Sequence, residues 1–217
     1  MSETKRLFLA LNLPEDLREK IFVWAKQNLE GLPLRLVPPE NLHLTLVFFG
    51  WTKRLEEILE ILGEINFSAF SLEFQGVGTF PASRPRLFWI GIKENRALLD
   101  LQKKLSQQYE SKGFALEKRG FSPHLTIARL KPISEIPPLI ARNQEKYFGK
   151  TEVLTLDLME SRLKRCGPEY FLVQSFPCRS TCPPTCPPKH EVRRWKPQGS
   201  NEIKLRARIK NRGRFEL

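Results

Sequence analysis

The chain has 217 residues, 41% of them hydrophobic, and a formal net charge of +12 at pH 7. This length and composition predict a soluble domain with a core of ordinary size, and no apolar run approaches the 18 residues that a membrane-spanning helix needs. The apolar run at residues 7–11 is too short for a secretory signal, so we expect a cytoplasmic protein with reduced thiols.

Hydrophobic periodicity predicts the elements in chain order. Residues 5–12 are predicted to form a strand, and a helix opens at Pro14-Glu15-Asp16 and ends before Gly31. The remaining predicted elements are strands near 34–37 and 42–48, a helix over 55–63, strands near 70–77 and 86–92, a helix from Leu98 to Gly113, a strand near 123–129, a short helix over 137–147, and strands over 151–159 and 169–176.

Strand–helix–strand units recur before and after about residue 90. They predict an α+β fold that is bilobal, with two antiparallel-rich β-sheets and outer helices around a central cleft. Residues 1–177 form this domain, and residues 178–217 form a basic Cys/Pro-rich tail that we expect to be disordered. The tail carries 11 Lys or Arg and 3 Glu, a net charge of +8, so the domain itself is only mildly basic at +4.

One four-residue pattern occurs twice, as His43-Leu44-Thr45-Leu46 and as His124-Leu125-Thr126-Ile127. The chain has three histidines, and only 9 of its 217 residues are threonine, so chance gives such a pair a probability of about 0.005. In a strand, residues i and i+2 point to one face about 6.6 Å apart. Each copy therefore presents an imidazole and a hydroxyl on the face away from its leucines.

Two histidines suit displacement at phosphorus without a metal. With a usual pKa near 6.5, one imidazole can be neutral and accept a proton from water while the other is protonated and donates to a leaving oxygen. The threonine hydroxyls could bind non-bridging phosphate oxygens.

Other interpretations of the histidines are weaker. A single histidine in an apolar strand is commonly a structural residue, but repetition of the whole pattern argues against that reading. A zinc site is disfavoured because the histidines are 81 residues apart with no HxH, HExxH or CxxC partner. A serine nucleophile is disfavoured because no G-x-S-x-G motif is present.

The twin motifs resemble those of the 2H phosphoesterase superfamily, in its branch of RNA 2′,3′-cyclic phosphodiesterases, also called 2′-5′ RNA ligases. The resemblance covers residues 1–177. It includes Lys5-Arg6-Leu7-Phe8-Leu9-Ala10-Leu11, Val37-Pro38-Pro39-Glu40-Asn41-Leu42, Gly76-Val77-Gly78-Thr79-Phe80-Pro81, Phe121-Ser122-Pro123, Arg129 and Leu158-Met159-Glu160-Ser161-Arg162-Leu163.

The resemblance implies a role for each motif residue. His43 matches the proton donor to the departing ribose oxygen, and His124 matches the proton acceptor that activates water. Thr45 and Thr126 match the threonines that bind phosphate oxygens. The implied reaction opens a terminal 2′,3′-cyclic phosphate to a 2′-phosphate with no metal or cofactor, and possible reversal gives 2′-5′ ligation. The sequence alone is symmetric between acid and base.

Three neighbouring residues are further candidates. Arg129 could bind phosphate bidentately or could be a solvated arginine. Strict alternation places Phe48 opposite His43, in the core, whereas a bulge near Phe49-Gly50 would let its ring stack on a nucleobase. Val47 is predicted on the His43 face, where relatives often carry a basic or polar residue.

Two further questions stay open at the sequence level. Residues Cys178, Cys182, Cys186 and His190 are equally spaced and could bind zinc, but paired prolines favour an extended chain. The domain could also be a binding module that has lost catalysis, although both histidines are intact. We expect a monomer that acts on RNA ends or small cyclic nucleotides and does not bind a membrane.

Overall fold

The computed structural model describes residues 3–81, 84–131, 136–165 and 167–178. Most of these residues lie in strands. The strands are β1 (Lys5–Asn12), β2 (Leu34–Leu36), β3 (His43–Thr52), β4 (Phe70–Phe80), β5 (Leu87–Ile92), β6 (His124–Leu130), β7 (Tyr147–Val153), β8 (Thr155–Lys164) and β9 (Gly167–Pro177).

The described strands form one antiparallel sheet in the order β7-β4-β5-β6-β3-β1-β8-β9, with β2 paired to β6. The α+β class with antiparallel strands is confirmed, but the two predicted sheets are joined into one. The joint is the β3–β6 pair, whose register is the single pair Leu44–Leu125. The two motif strands are therefore neighbours in the middle of the sheet.

The helices are α1 (Glu15–Asn28), α2 (Leu55–Glu64), α3 (Arg96–Ser111) and α4 (Ile136–Arg142). Helix α3 begins where the side chain of Asn95 accepts the N–H of Leu98, which satisfies one free donor of the first turn. Its buried residues Leu98, Leu101, Leu105 and Tyr109 share one face, and the hydroxyl of Tyr109 donates to the Ile58 carbonyl at 3.1 Å. No helix in the described ranges is long and apolar enough to cross a membrane.

The main core lies between the helices and one face of the sheet. Leu9, Leu44 and Leu125 are at most 1% exposed and share this core with Ile21 and Leu105. Burial of a leucine side chain stabilises a fold by about 1.5–3 kcal/mol. Since strand side chains alternate, this burial turns His43, Thr45, His124 and Thr126 to the opposite face, which we call the histidine face.

Three predicted elements differ from the structure. The predicted helix over 137–147 ends at Arg142, and Tyr147 already begins β7. The predicted strand over 151–159 is divided at Leu154 between β7 and β8. The strand predicted near 70–77 extends to Phe80 as β4, with a bulge after Phe74 where Gly76 has a φ of +72°.

The boundary of the predicted tail falls near the last described residue. Cys178 is 7% exposed, and its N–H donates to the Leu154 carbonyl at 2.8 Å, so it packs with the domain. The expected disorder and the zinc candidates Cys182, Cys186 and His190 lie outside the described residues.

Candidate active site

The register of β3 and β6 places the two motifs against each other. Because Leu44 pairs with Leu125, one further step in each direction sets His43 opposite Thr126 and Thr45 opposite His124. Directly opposed residues of an antiparallel pair share a face, and diagonal neighbours are about 7–8 Å apart. The two histidines therefore form one diagonal of a four-residue group and the two threonines form the other.

A β-bulge changes the face of the residues after the first motif. Leu9 pairs with Val47 whereas Ala10 pairs with Thr45, which leaves Leu46 as the extra residue. Leu46 and Val47 are only 3% and 4% exposed, so two consecutive side chains enter the core. The prediction that Val47 lies on the His43 face is therefore wrong.

Phe48 consequently lies on the histidine face. Alternation restarts after the bulge, and a second register shift follows between β1 residues Leu7 and Phe8. The ring of Phe48 is 38% exposed and lines the same cavity as His43. The core position expected from strict alternation is wrong, because the bulge at Leu46 turns the ring to the cavity; stacking of Phe48 on a nucleobase stays a prediction.

The second motif has a bulge at the equivalent position. Phe88 pairs with Ala128 whereas Trp89 pairs with Thr126, so Ile127 is the extra residue. Ile127 and Ala128 are both buried, and Arg129 turns to the histidine face, where it is exposed and lines the cavity. Phe48 and Arg129 each stand five residues after a motif histidine.

The cavity beside the first motif has a volume of about 470 Å³. We call it the His43 cavity. Its lining residues are Arg6, Phe8, His43, Thr45, Phe48, Arg129, Leu163, Pro168 and Tyr170. Strands β1, β3, β6, β8 and β9 all contribute to it. A ligand in this cavity would touch the His43 ring, a threonine hydroxyl and a guanidinium.

Aromatic side chains enclose His43 but leave one part of the cavity open. The rings of Phe8 and Tyr170 each lie 4.9 Å from the His43 ring, centre to centre. Phe48 lies further out, with the Arg6 guanidinium 4.7 Å from its ring centre. Arg6 is held in turn by a 2.8 Å hydrogen bond to the Ser161 hydroxyl.

The two imidazoles have the same local geometry. Nδ1 of His43 lies 2.8 Å from the Asn41 carbonyl, and Nδ1 of His124 lies 2.8 Å from the Ser122 carbonyl. A carbonyl can only accept, so Nδ1 carries a proton in both rings. Nε2 is thereby left as the atom that exchanges a proton with a substrate.

Burial lowers the pKa of His43 from 6.5 to about 4, because a charged ring loses hydration among Phe8 and Tyr170. The hydrogen bond to Asn41 opposes this shift, while the positive charge of Arg129 and electrostatic repulsion between the two imidazoles add to it. His43 is therefore neutral at pH 7 in the free protein. A bound phosphate would supply the negative charge that returns its proton.

We expect an NMR titration of the His43 ring to show a midpoint near pH 4 in the free protein and a higher midpoint with bound 2′-AMP. Since His43 then takes up a proton on binding, its contribution to 2′-AMP affinity falls as pH rises from the free pKa to the bound pKa. Arg129→Ala should raise the free midpoint because one opposing charge is removed. A free midpoint near 6.5 would contradict this account.

Asp157 on β8 is the centre of a buried hydrogen-bonded group next to the first motif. The Asp157 carboxylate, 5% exposed, accepts hydrogen bonds from Asn12 Nδ2 at 2.7 Å and from the Ser175 hydroxyl at 2.5 Å. Burial raises the pKa of Asp157, and these hydrogen bonds oppose that shift. Asn12 pairs directly with His43 across β1 and β3, so the group adjoins the first motif.

Sequence reasoning missed Arg6, Tyr170, Asn12 and Asp157 as neighbours of His43. For β1 a signal was available: Phe8, Ala10 and Asn12 alternate with leucines, which places these three side chains together on the face opposite the leucines. Among described residues, no group of three or more His, Cys, Asp or Glu side chains is placed to hold a metal ion.

Comparison with known proteins shows which family the chain belongs to. Residues 14–165 match the model of the 2′-5′ RNA ligase superfamily. The chain belongs to this superfamily. The 2H phosphoesterase resemblance of the sequence is confirmed.

Relatives in this superfamily cover most of the chain. The RNA 2′,3′-cyclic phosphodiesterase of Archaeoglobus fulgidus is 36% identical over 176 residues, which is 79% of this chain and 99% of that protein. The protein of the same name from Methanocaldococcus jannaschii is 35% identical over 179 residues, 79% of this chain and 99% of that protein. The structure of E. coli LigT complexed with 3′-AMP has a TM-score of 0.70 at 26% identity, covering 81% of this chain and 99% of LigT.

Proposed function

We propose that this protein is an RNA 2′,3′-cyclic phosphodiesterase, which opens a terminal 2′,3′-cyclic phosphate and leaves a 2′-phosphate. The observation that carries the proposal is the register of β3 and β6, which sets two His-x-Thr motifs side by side on one face. The names of the superfamily relatives support the same activity. E. coli LigT complexed with phosphate is a further structural neighbour.

In the proposed reaction, water attacks phosphorus and the bond from phosphorus to the ribose 3′-oxygen breaks. Nε2 of His124 takes a proton from the water, and Nε2 of His43 gives a proton to the departing 3′-oxygen. One proton enters the enzyme and one leaves, so the step balances with these two groups, and we propose that it uses no metal or cofactor. The next turnover begins once the two histidines have exchanged protons with solvent.

The charge that develops on phosphate is met by the other motif residues. Thr45 and Thr126 lie on the second diagonal of the four-residue group, so each hydroxyl can reach a non-bridging oxygen between the two imidazoles. Arg129 lines the same cavity as Thr45, and its positively charged guanidinium can form two hydrogen bonds to the phosphate.

The open part of the His43 cavity fits the nucleoside that carries the cyclic phosphate. Phe48 exposes its ring there and Arg6 lies over it, so a nucleobase can stack on either planar group. Stacking does not depend on base identity, because every base has a π face. We therefore propose substrates that range from RNA ends to small cyclic nucleotides.

Replacement of Phe48 by alanine should raise KM for a cyclic-phosphate RNA by about 5-fold to 100-fold, because base stacking on an aromatic ring is worth about 1–3 kcal/mol. The effect on kcat should be small, since Phe48 does not touch the reacting atoms. Tyr147→Ala is the control, because Tyr147 is 47% exposed and lies on β7, at the end of the sheet order and outside the cavity lining. An unchanged KM would remove Phe48 from the binding site.

The proposed function is tested with purified protein and an oligonucleotide that ends in a 2′,3′-cyclic phosphate, in buffer with EDTA. Conversion to the 2′-phosphate product is expected, as resolved by mass spectrometry and by phosphatase treatment. An oligonucleotide with a 3′-phosphate serves as the unreactive control. Tight binding of 2′-AMP without hydrolysis of the cyclic phosphate would instead indicate a binding module, and loss of turnover in EDTA would show a metal requirement.

A further inference from the structure

The indole of Trp89 lies on the histidine face of β5, over Gly78 of the neighbouring strand. A Cβ built on Gly78 would come within 2.2 Å of Trp89 Cζ2 and 2.5 Å of Cη2, so the indole occupies the space above that glycine. A Cβ on Gly91 would lie 3.4 Å from Cζ3 of the same ring. The absence of a side chain on Gly78 leaves room for the ring over the sheet, and Trp89 is partly exposed.

The ring stands beside the second motif. Trp89 pairs directly with Thr126, and Gly91 pairs with His124, so the indole and both motif residues share a face. The ring centres of Trp89 and His124 are 6.3 Å apart. Phe80 follows Gly78 on the same face and is 48% exposed, which extends the apolar surface beyond the indole. We call Trp89, Gly78 and Phe80 the Trp89 platform.

The Trp89 platform lies on the opposite side of the motif group from the His43 cavity. The sheet order places β4 and β5 beyond β6, whereas Phe8 and Tyr170 of the cavity belong to β1 and β9 beyond β3. In a displacement at phosphorus, the attacking and leaving oxygens stand roughly in line on opposite sides. With His43 at the leaving oxygen, the attacking oxygen and any group attached to it stand on the Trp89 side.

A water molecule has no apolar or aromatic group that could pack on this aromatic surface. A nucleoside does, because its base can stack on the indole while its 5′-hydroxyl reaches His124. Stacking of bases on tryptophan is a general mode of single-strand recognition.

We propose that the Trp89 platform is a second nucleoside subsite, which binds the nucleotide whose 5′-oxygen is joined to the phosphate in 2′-5′ ligation. In this step the 5′-hydroxyl oxygen forms a bond to phosphorus and the bond to the 3′-oxygen breaks. His124 accepts the 5′-hydroxyl proton and His43 donates one to the 3′-oxygen, so the step balances without a nucleotide cofactor. The assignment rests on the proposed function for the roles of the histidines.

The test is calorimetric binding of 2′-AMP and of 2′,5′-linked adenylyl-adenosine to the full chain. Trp89→Ala should raise Kd for the dinucleotide by about 5-fold to 100-fold and leave Kd for 2′-AMP unchanged. Tyr147→Ala, which removes an exposed aromatic ring on the terminal strand β7, should change neither value. Gly78→Ala retains the indole but displaces it, because the new Cβ would overlap the ring. This variant should therefore also raise Kd for the dinucleotide and leave Kd for 2′-AMP unchanged.

Two results would overturn the subsite. In the first, dinucleotide affinity is unchanged in both Trp89→Ala and Gly78→Ala. In the second, 2′-AMP affinity falls as much as dinucleotide affinity, which would make Trp89 a structural support of the phosphate site. Circular dichroism identifies a variant that has not folded, and Trp89→Phe then replaces Trp89→Ala with a smaller loss expected. Binding needs no turnover, so failure of the wild-type protein to hydrolyse a cyclic phosphate would reject the proposed function and leave this test intact.

Discussion

Alanine at His43 or at His124 is expected to lower kcat for cyclic-phosphate hydrolysis by about 10²–10⁴-fold, the usual contribution of a positioned acid or base. The two Nδ1 atoms are held alike by the Asn41 and Ser122 carbonyls, so each replacement removes one complete proton-transfer group. Single-turnover measurements at saturating RNA would report the chemical step. The double variant should lose less than the product of the two single losses, because the residues act as a unit.

A substrate with sulfur in place of the ribose 3′-oxygen separates the two roles. A thiolate leaves without protonation, so His43→Ala should lose little rate on this substrate if His43 is the donor. His124→Ala should keep its full defect, because water still has to be activated. The opposite pattern would exchange the two assignments, and a loss below about 10-fold for either variant on the natural substrate would contradict paired acid–base catalysis.

Valine at Thr45 or Thr126 is expected to lower kcat by about 10²–10³-fold, as found for loss of one donor that stabilises developing charge. Valine keeps the branched shape that a strand position favours, so packing is retained while the hydroxyl is lost. Because the hydroxyls are proposed to bind oxygens whose charge grows in the transition state, kcat should fall more than KM rises.

Thr151→Val is the matched control, since Thr151 lies on β7 and pairs with the buried Leu72, which places it on the face of the sheet opposite the motif hydroxyls. Circular dichroism and the midpoint of thermal unfolding would verify that all three variants fold. A change in KM alone for Thr45→Val and Thr126→Val would show that the hydroxyls bind substrate and transition state equally, contrary to the proposal.

The sequence predicts most of the secondary structure because apolar periodicity and caps act locally. Leu44 and Leu125 alternate with polar residues, and this was sufficient to place His43 and His124 on one kind of face. The pairing of β3 with β6 is different, since it joins residues far apart in the chain through the single pair Leu44–Leu125. No local pattern contains that information, which is why one joined sheet was predicted as two.

The bulges explain the errors closest to the site. Strict alternation gives the wrong face to Val47 and Phe48 because Leu46 adds one residue to the strand. The available signal for the bulges was a pair of adjacent apolar residues at the end of each motif, Leu46-Val47 and Ile127-Ala128. Such a pair also fits a regular strand at the edge of the core, so it did not identify a bulge. Arg6 and Tyr170 depend on the register of β1, β8 and β9, so only the assembled sheet reveals them.

The matching bulges give the protein two adjustable positions at a fixed offset from its acid–base groups. Phe48 and Arg129 occupy corresponding places in the two halves, yet one presents a flat hydrocarbon ring and the other a cation. Substrate preference can thus diversify by replacing either side chain while the proton-transfer apparatus stays untouched. A library randomised at these two codons would explore new phosphoester specificities from a constant reaction chemistry.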